Sequence, residues 1–232
     1  MKKDFFIPEL NIFEKFLWAF SVLGITAIFI INPEKHPVTL IATLIGTTSL
    51  IFTAKGHISG QFLMIIFCIL YAIVSLEFKY YGEAITYLFM TLPSDIASTF
   101  VWLKNPSPSG KPEVKIAHLS PKKSVIAIVL TCLITFIFYF ILRALKTANL
   151  EISTISIATS MIASIFTIMR VPYYALGYAA NDIVLIVMWI LATLKNSVYA
   201  PMILNFTIFL ANDLYGFYNW KKIRRIQESK KE

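Results

Sequence analysis

The stretches N181-D-I-V-L-I-V-M-W189 and N205-F-T-I-F-L-A-N-D-L-Y-G-F-Y-N-W220 place polar and aromatic residues inside long apolar segments. Polar groups are costly in hydrocarbon, so they usually face a bundle interior or a transport pathway. At 3.6 residues per helical turn, one side of the first segment and the residues before it carries Tyr174, Tyr178, Asp182 and Trp189, with Asn181 at its edge. One side of the second carries Asn205, Asn212, Gly216 and Asn219. Two adjacent helices with polar faces predict a shared polar cavity for a small polar molecule that contains a ring.

The composition supports a membrane-embedded chain. Of 232 residues, 57% are hydrophobic and 15% are charged, and the mean hydropathy is +0.71. A soluble domain of this size could not cover its surface with so few charges. The net charge of +8 does not favour nucleic-acid binding, because the basic residues lie in the connections between apolar segments. We therefore expect an all-α polytopic membrane protein.

About eight transmembrane helices are predicted from apolar segments of suitable length. They cover residues 15–32, 37–54, 60–78, 82–103, 122–142, 151–169, 174–195 and 199–220. The Pro/Gly/Ser-rich linker from Asn105 to Pro112, with the sequence N-P-S-P-S-G-K-P, divides the chain near its middle. This topology puts 16 Lys and Arg residues on one side of the membrane and 5 on the other. The positive-inside rule then places both termini in the cytoplasm.

A weak internal repeat appears when the chain is shifted by 118 positions. Asp95 then falls on Asp213, Trp102 on Trp220, and Tyr71 on Trp189. The shift carries spans two to four onto spans six to eight and preserves their direction, which predicts two parallel three-helix bundles. Span five becomes a linker helix, and span one is an extra N-terminal helix. The predicted units are an N-terminal segment with the extra span (1–36), a first bundle (37–104), a cytoplasmic linker with the linker helix (105–150), a second bundle (151–220) and a basic cytoplasmic tail (221–232).

The two opening stretches resemble the PnuC family of vitamin-precursor transporters, above all in N181-D-I-V-L-I-V-M-W189 and N212-D-L-Y-G-F-Y-N-W220. Y71-A-I-V-S75, Y80-Y-G-E83, Pro93 and W102-L-K-N105 extend the resemblance to the first half. The resemblance implies a SWEET-like fold and facilitated diffusion of nicotinamide riboside, a vitamin B3 precursor for NAD biosynthesis, without a cofactor. It also implies a cytoplasmic nicotinamide riboside kinase that traps the substrate, a homotrimer, and a bacterial cytoplasmic (inner) membrane.

One departure from the family concerns the start of span seven. Many members have two tryptophans three residues apart there, after an Arg-x-x-Glu element. In R170-V-P-Y-Y-A-L-G-Y178, Ala175 and Tyr178 stand in their place, and Tyr173 replaces the acid. This departure leaves thiamine, riboflavin or a deoxynucleoside as alternative substrates.

Candidate substrate-binding residues follow from the polar faces, the repeat and the family positions. They are Tyr71, Tyr87, Tyr174, Tyr178, Asn181, Asp182, Trp189, Asn205 and Asn212. Tyr178 could stack on a ring, with Trp189 closing the outer side, and the asparagines could bind hydroxyls or a carboxamide. Aromatic packing and interhelical hydrogen bonding remain open as structural alternatives.

Asp95 and Asp213 lie near the cytoplasmic ends of their spans, where we expect them to pair with Lys or Arg of the linker or tail, or to be solvated at the helix ends. Trp102 and Trp220 precede lysines, which is typical of an interfacial aromatic belt, and Pro93 should bend span four. The sequence contains neither a P-loop nor a metal-ligand spacing. We therefore expect a transporter, with an intramembrane enzyme or the binding subunit of an ATP-driven module as the alternatives.

Overall fold

The computed structural model describes residues 7–32, 37–77, 81–108, 113–147, 149–195 and 200–229. Within these ranges the fold consists of eight long helices, and pairing of extended backbone is limited to isolated bridges. The helices are α1 (Ile12–Ile31), α2 (Pro37–Ala54), α3 (Ile58–Glu77), α4 (Tyr81–Leu103), α5 (Pro121–Ala144), α6 (Leu150–Ile168), α7 (Tyr174–Lys195) and α8 (Ala200–Ser229). Among the described residues, seven helices, α1 to α7, are long and apolar enough to cross a membrane. This confirms an all-α polytopic membrane protein.

The predicted spans match these helices closely except at the end of α8. That helix continues to Ser229, beyond the predicted end at residue 220. The added stretch K221-K-I-R-R-I-Q-E-S229 is rich in strong helix formers, which continue a helix outside hydrocarbon as well as inside it. Tyr80 and residues 109–112 of the predicted linker lie outside the described residues.

The N-terminal helix α1 is attached through its first turn. Asn11 and Glu14 form a capping box, with Glu14 N–H donating to Asn11 Oδ1 at 2.9 Å and Asn11 N–H to Glu14 Oε2 at 2.7 Å. The fully buried Glu14 carboxylate also accepts from the Tyr215 hydroxyl at 2.6 Å and pairs with Lys55 Nζ at 3.3 Å. One charged side chain therefore ties α1 to α8 and to the end of α2.

Helix α4 contains a π-helical turn at Tyr87–Thr91, where Leu92 N–H donates to the Tyr87 carbonyl. Pro93 lies two residues beyond this turn, and a proline ring clashes with the carbonyl four residues earlier. That carbonyl belongs to Phe89, so the wide turn lies where the helix must make room. Such π-bulges within α-helices occur frequently at functional sites, and this one begins at Tyr87.

Sequential neighbours form most of the packing. Helix α2 packs on α3 and α3 on α4, while α5 packs on α6, α6 on α7 and α7 on α8. Contacts of α2 with α8 and of α4 with α6 join the two halves. The parallel symmetry of two three-helix bundles stays a prediction.

Candidate functional site

Polar side chains of α3, α4 and α7 lie close together in a region that we call the polar cleft. The Tyr87 side chain is close enough to interact electrostatically with Cys68 and Asp182, and the Tyr178 side chain with Cys68 and Asp95. The two tyrosine rings are half-buried, whereas Cys68 and both carboxylates are buried. The structure therefore brings three of the predicted site residues together, namely Tyr87, Tyr178 and Asp182.

Each half of the chain buries an aspartate at the repeat-related position. Asp95 Oδ2 accepts from the Cys68 thiol at 3.1 Å, and the Asp213 side chain is in hydrogen-bonding contact with Asp182. The expectation that Asp95 and Asp213 pair with Lys or Arg, or are solvated at the helix ends, is wrong. Among the described residues neither forms such an ion pair. Both carboxyls, 3% and 4% exposed, point into the protein interior, out of reach of the basic residues at the helix ends.

Apart from the contact with Asp213, no described residue donates a hydrogen bond to the buried Oδ2 of Asp182. Asp182 as a whole is 4% exposed. An unpaired acceptor on a buried carboxyl group is costly. The cleft therefore offers a site for a cation or for a hydrogen-bond donor.

Hydrogen bonds to α6 position the α7 side of the cleft. The Tyr178 hydroxyl lies 3.2 Å from the Ser164 hydroxyl. Asn181 Oδ1 accepts from Ser156 at 2.9 Å and from Thr159 at 3.0 Å. The small hydroxylated residues of α6 thus bond to the neighbouring helix, and substrate contact by Asn181 stays a prediction.

Helices α2, α4, α6 and α8 finish at one end of the bundle, which we call the tail end. A tail-end cluster forms there, and its members are Ile58, Trp102, Val114, Ile116, Tyr174, Ala175 and Trp220. The Tyr174 and Trp220 ring centroids are 4.6 Å apart, and those of Trp102 and Trp220 are 5.3 Å apart. Trp102 Nε1–H donates to the carbonyl of Thr167 at 3.0 Å, and Trp220 Nε1–H to that of Thr53 at 2.8 Å.

The predicted interfacial belt is therefore wrong for both tryptophans. Trp102 is 2% exposed and Trp220 is 0% exposed. Each indole reaches from its own half of the chain to a carbonyl of the other half. Connecting segments cover the two rings, and hydropathy could not place those segments over them.

A far-end cluster lies toward the opposite end of the same helices. Its aromatic members are Phe67, Tyr71, Trp189, Phe206 and Phe209. Tyr71 also contacts Tyr87 of the cleft, with ring centroids 4.4 Å apart. Trp189 thus belongs to the same cluster as its repeat partner Tyr71, and Tyr178 is not a member of that cluster.

Two of the α8 asparagines, Asn212 and Asn219, contact helices other than α7. Asn212 Nδ2 donates to the carbonyl of Ile208 at 2.9 Å and lies 3.4 Å from the Ser21 hydroxyl of α1. Asn219 Nδ2 donates to the carbonyl of Ala54 at the end of α2. In the structure the Asn212 and Asn219 amides are directed toward α1 and α2 rather than α7. Substrate contact by Asn212, or by the buried Asn205, stays a prediction.

Sequence reasoning missed Cys68, Asp95 and Asp213 as parts of the site. The repeat carried the signal for two of them, because it superimposed Asp95 on Asp213. No sequence signal pointed to Cys68, because a cysteine in an apolar span has the same pattern as a small core residue. Among the described residues no cluster of His, Cys, Asp and Glu could hold a metal ion.

Comparison with known proteins identifies the family of the chain. The family described as nicotinamide mononucleotide transporter matches residues 36–222. The chain belongs to this family. It is accordingly a transporter rather than an enzyme, and it spans the membrane several times.

Two relatives in this family are named nicotinamide riboside transporter PnuC. The one from Neisseria mucosa is 28% identical over 213 residues, which cover 89% of this chain and 80% of the relative. The one from Haemophilus influenzae is 27% identical over 223 residues, which cover 95% of both chains. A crystal structure of the vitamin B3 transporter PnuC has the same fold, with a TM-score of 0.84 over 97% of both chains at 24% identity.

Proposed function

We propose that this protein carries nicotinamide riboside across the membrane. The observation that supports the proposal is the buried carboxyl of Asp182, which contacts Asp213, receives no other hydrogen bond at Oδ2 from the described residues, and lies beside Tyr87 and Tyr178. Nicotinamide riboside is a pyridinium cation with a carboxamide and ribose hydroxyls. A cleft that combines a carboxylate with aromatic rings fits a flat cation of this kind.

Charge separates this substrate from the neutral alternatives. Two carboxyls that hydrogen-bond to each other share a proton, so the charge that can attract a cation belongs to the Asp182–Asp213 pair. A negative charge in a dry cleft attracts a cation far more strongly than the same charge does in water. Riboflavin and deoxynucleosides carry no positive charge to pair with it. Thiamine is also a cation, and here the names of the relatives favour nicotinamide riboside.

The remaining predicted residues take supporting roles in this proposal. The Tyr178 ring stacks on the pyridinium, and Tyr87 bounds the opposite side of the cleft. Asn181 orients the polar groups of the substrate from α7, and Asn205 and Asn212 are the candidates on α8. Tyr174 closes the pathway at the tail end, and Tyr71 with Trp189 at the far end.

Equilibrium binding to the purified protein tests the proposal with two ligands that differ in charge. Reduced nicotinamide riboside keeps the carboxamide and the ribose, but its ring is neutral. We expect the oxidised cation to bind more tightly, and Asp182→Asn to weaken its binding about tenfold or more, which is about 1.4 kcal/mol or more. Binding of the reduced form should change little, which also shows that the variant is folded. Equal effects on both ligands would contradict cation recognition, and no binding of either by the unaltered protein would refute the substrate.

We further propose facilitated diffusion across a bacterial cytoplasmic membrane, trapping by a cytoplasmic nicotinamide riboside kinase, and assembly into a trimer. Proteoliposomes should then equilibrate labelled substrate without exceeding the outside concentration. Uphill accumulation under a proton or sodium gradient would contradict passive transport. Sedimentation of the detergent-solubilised protein at the mass of a monomer would contradict the trimer.

Cytoplasmic termini are proposed from the 16-to-5 distribution of Lys and Arg. A reporter that works only in the cytoplasm should be active when fused after Glu232. Activity of a periplasm-dependent reporter at the same position would reverse the topology. The proposed units keep the boundaries 1–36, 37–104, 105–150, 151–220 and 221–232.

A further inference from the structure

Residues 113–117, which we call the strap, cross the tail end as extended chain. Four successive backbone N–H groups of the strap donate to four different segments. Val114 donates to the Gly56 carbonyl at 2.8 Å, Lys115 to the Asn105 carbonyl at 2.8 Å, Ile116 to Gln227 Oε1 at 2.9 Å and Ala117 to the Arg170 carbonyl at 2.9 Å. Connecting segments usually run over the surface and bond largely to water. This one is bonded to the ends of helices from both halves of the chain.

Gln227 makes the largest side-chain contribution to this arrangement. Besides accepting from Ile116, its Nε2 donates to the Val114 carbonyl at 3.0 Å and lies 3.2 Å from the Ser107 hydroxyl. Three of the four hydrogen-bonding positions of the amide are thereby used on the linker. Gln227 is buried in the part of α8 that extends beyond the predicted span. Arg170 holds the other side of the strap, with Nη1 3.0 Å from the Lys115 carbonyl.

The strap covers the polar cleft from the tail end. Its Val114 and Ile116 side chains are buried in the tail-end cluster with Trp102, Trp220 and Tyr174, and Tyr178 packs against the same cluster. A molecule at Tyr178 that leaves toward the tail end must therefore separate the two indoles and displace the strap. The indole hydrogen bonds described above cross between the halves, so the same opening breaks both of them.

We infer that the strap is the closure of the transport pathway at the tail end, and that Gln227 is the positioning residue that seats it. The inference rests on the proposed function, because it assigns a gate to that pathway. Each passage opens the strap, which exchanges the hydrogen bonds of Gln227 and Arg170 for bonds to water. The basic end of α8 thus takes part in closing the pathway through Gln227, in addition to orienting the chain in the membrane.

A reversible cross-link tests whether the strap must move. His57 and Glu113 form an antiparallel bridge between the α2–α3 turn and the strap. Such pairs have Cα atoms about 4.5–5.5 Å apart, within the disulfide range of about 4.4–6.8 Å. The His57→Cys/Glu113→Cys double variant would be made together with Cys132→Ala, which removes the exposed native thiol and leaves the buried Cys68.

Oxidation of the double variant should lower the flux of labelled nicotinamide riboside through proteoliposomes at least tenfold, and a reducing agent should restore it. Binding from the far side should persist. Each single-cysteine variant should transport at the same rate with and without oxidant. Unchanged flux through quantitatively cross-linked protein would overturn the gate. If the reduced protein fails to bind or carry nicotinamide riboside, the proposed function fails instead, and the flux of whichever substrate it carries then tests the gate.

A second measurement does not depend on a disulfide. Ala175 is fully buried in the tail-end cluster, so an Ala175→Cys reporter, made together with Cys132→Ala, reacts with a membrane-impermeant maleimide only when that end opens. Gln227→Ala should raise the labelling rate severalfold. Arg225→Ala, on the exposed side of the same helix turn, should leave it unchanged. Equal labelling rates in the two variants would show that Gln227 does not seat the strap.

Discussion

The tail-end and far-end clusters both bury aromatic rings, but the far-end cluster also contains three phenylalanines, Phe67, Phe206 and Phe209. At the tail end Trp102 and Trp220 donate hydrogen bonds across the two halves at 3.0 and 2.8 Å. At the far end Phe67 and Phe209 have ring centroids 6.1 Å apart, and Phe206 and Phe209 5.8 Å apart. Phenylalanine side chains have no hydrogen-bonding group. A directional bond specifies one closed arrangement, whereas the three packed phenylalanine rings can shift without leaving a donor unpaired.

The largest expected effect is on stability at the tail end. Trp220→Ala removes a fully buried ring and the bond to Thr53, and it should lower the free energy of unfolding in detergent by about 3–5 kcal/mol. Trp220→Phe keeps an aromatic ring but loses the indole N–H donor. It should therefore lower the free energy of unfolding by only about 1 kcal/mol.

Trp18→Ala provides the matched comparison. Trp18 also has one indole bond, to Thr48 at 3.1 Å, but it is half-buried on α1. Trp18→Ala should lower the free energy of unfolding clearly less than Trp220→Ala does. Similar losses for the two alanine variants would show that the tail end is not the more tightly specified region.

A smaller effect should distinguish the two ends in substrate binding. Tyr178→Ala should weaken equilibrium binding of nicotinamide riboside by about 1–3 kcal/mol, the range for losing a stacking partner. Trp189→Ala should mainly change the transport rate, because Trp189 packs in the far-end cluster with Tyr71.

Calorimetric titration of the purified variants decides between the two residues. Tyr218→Ala is the control, since Tyr218 is 66% exposed on α8. This variant should bind nicotinamide riboside as tightly as the unaltered protein does. If Trp189→Ala abolishes binding while Tyr178→Ala does not, the site lies toward the far end and the comparison must be reversed.

Hydropathy along the sequence determined the number, order and approximate limits of the helices. Those properties depend on runs of apolar residues about as long as a bilayer is thick, and such runs are read directly from the chain. The polar side of α7 was also predictable, because Tyr178 and Asp182 lie one turn apart on a helix. The family could be inferred from the same stretches.

Only the tertiary structure decided which neighbour each polar residue meets. Asn212 and Asp213 are adjacent in sequence, yet about 100° of helical rotation directs one toward α1 and the other toward Asp182. Periodicity shows that a helix has a polar side, but α8 has polar residues on more than one side and meets three helices. Trp102 and Trp220 likewise have the sequence pattern of an interfacial belt, because nothing local indicates that a distant segment will cover them. The strap, the crossed indoles and the aspartate pair all join residues far apart in the chain, and such contacts are fixed by how the helices pack rather than by the composition of any one helix.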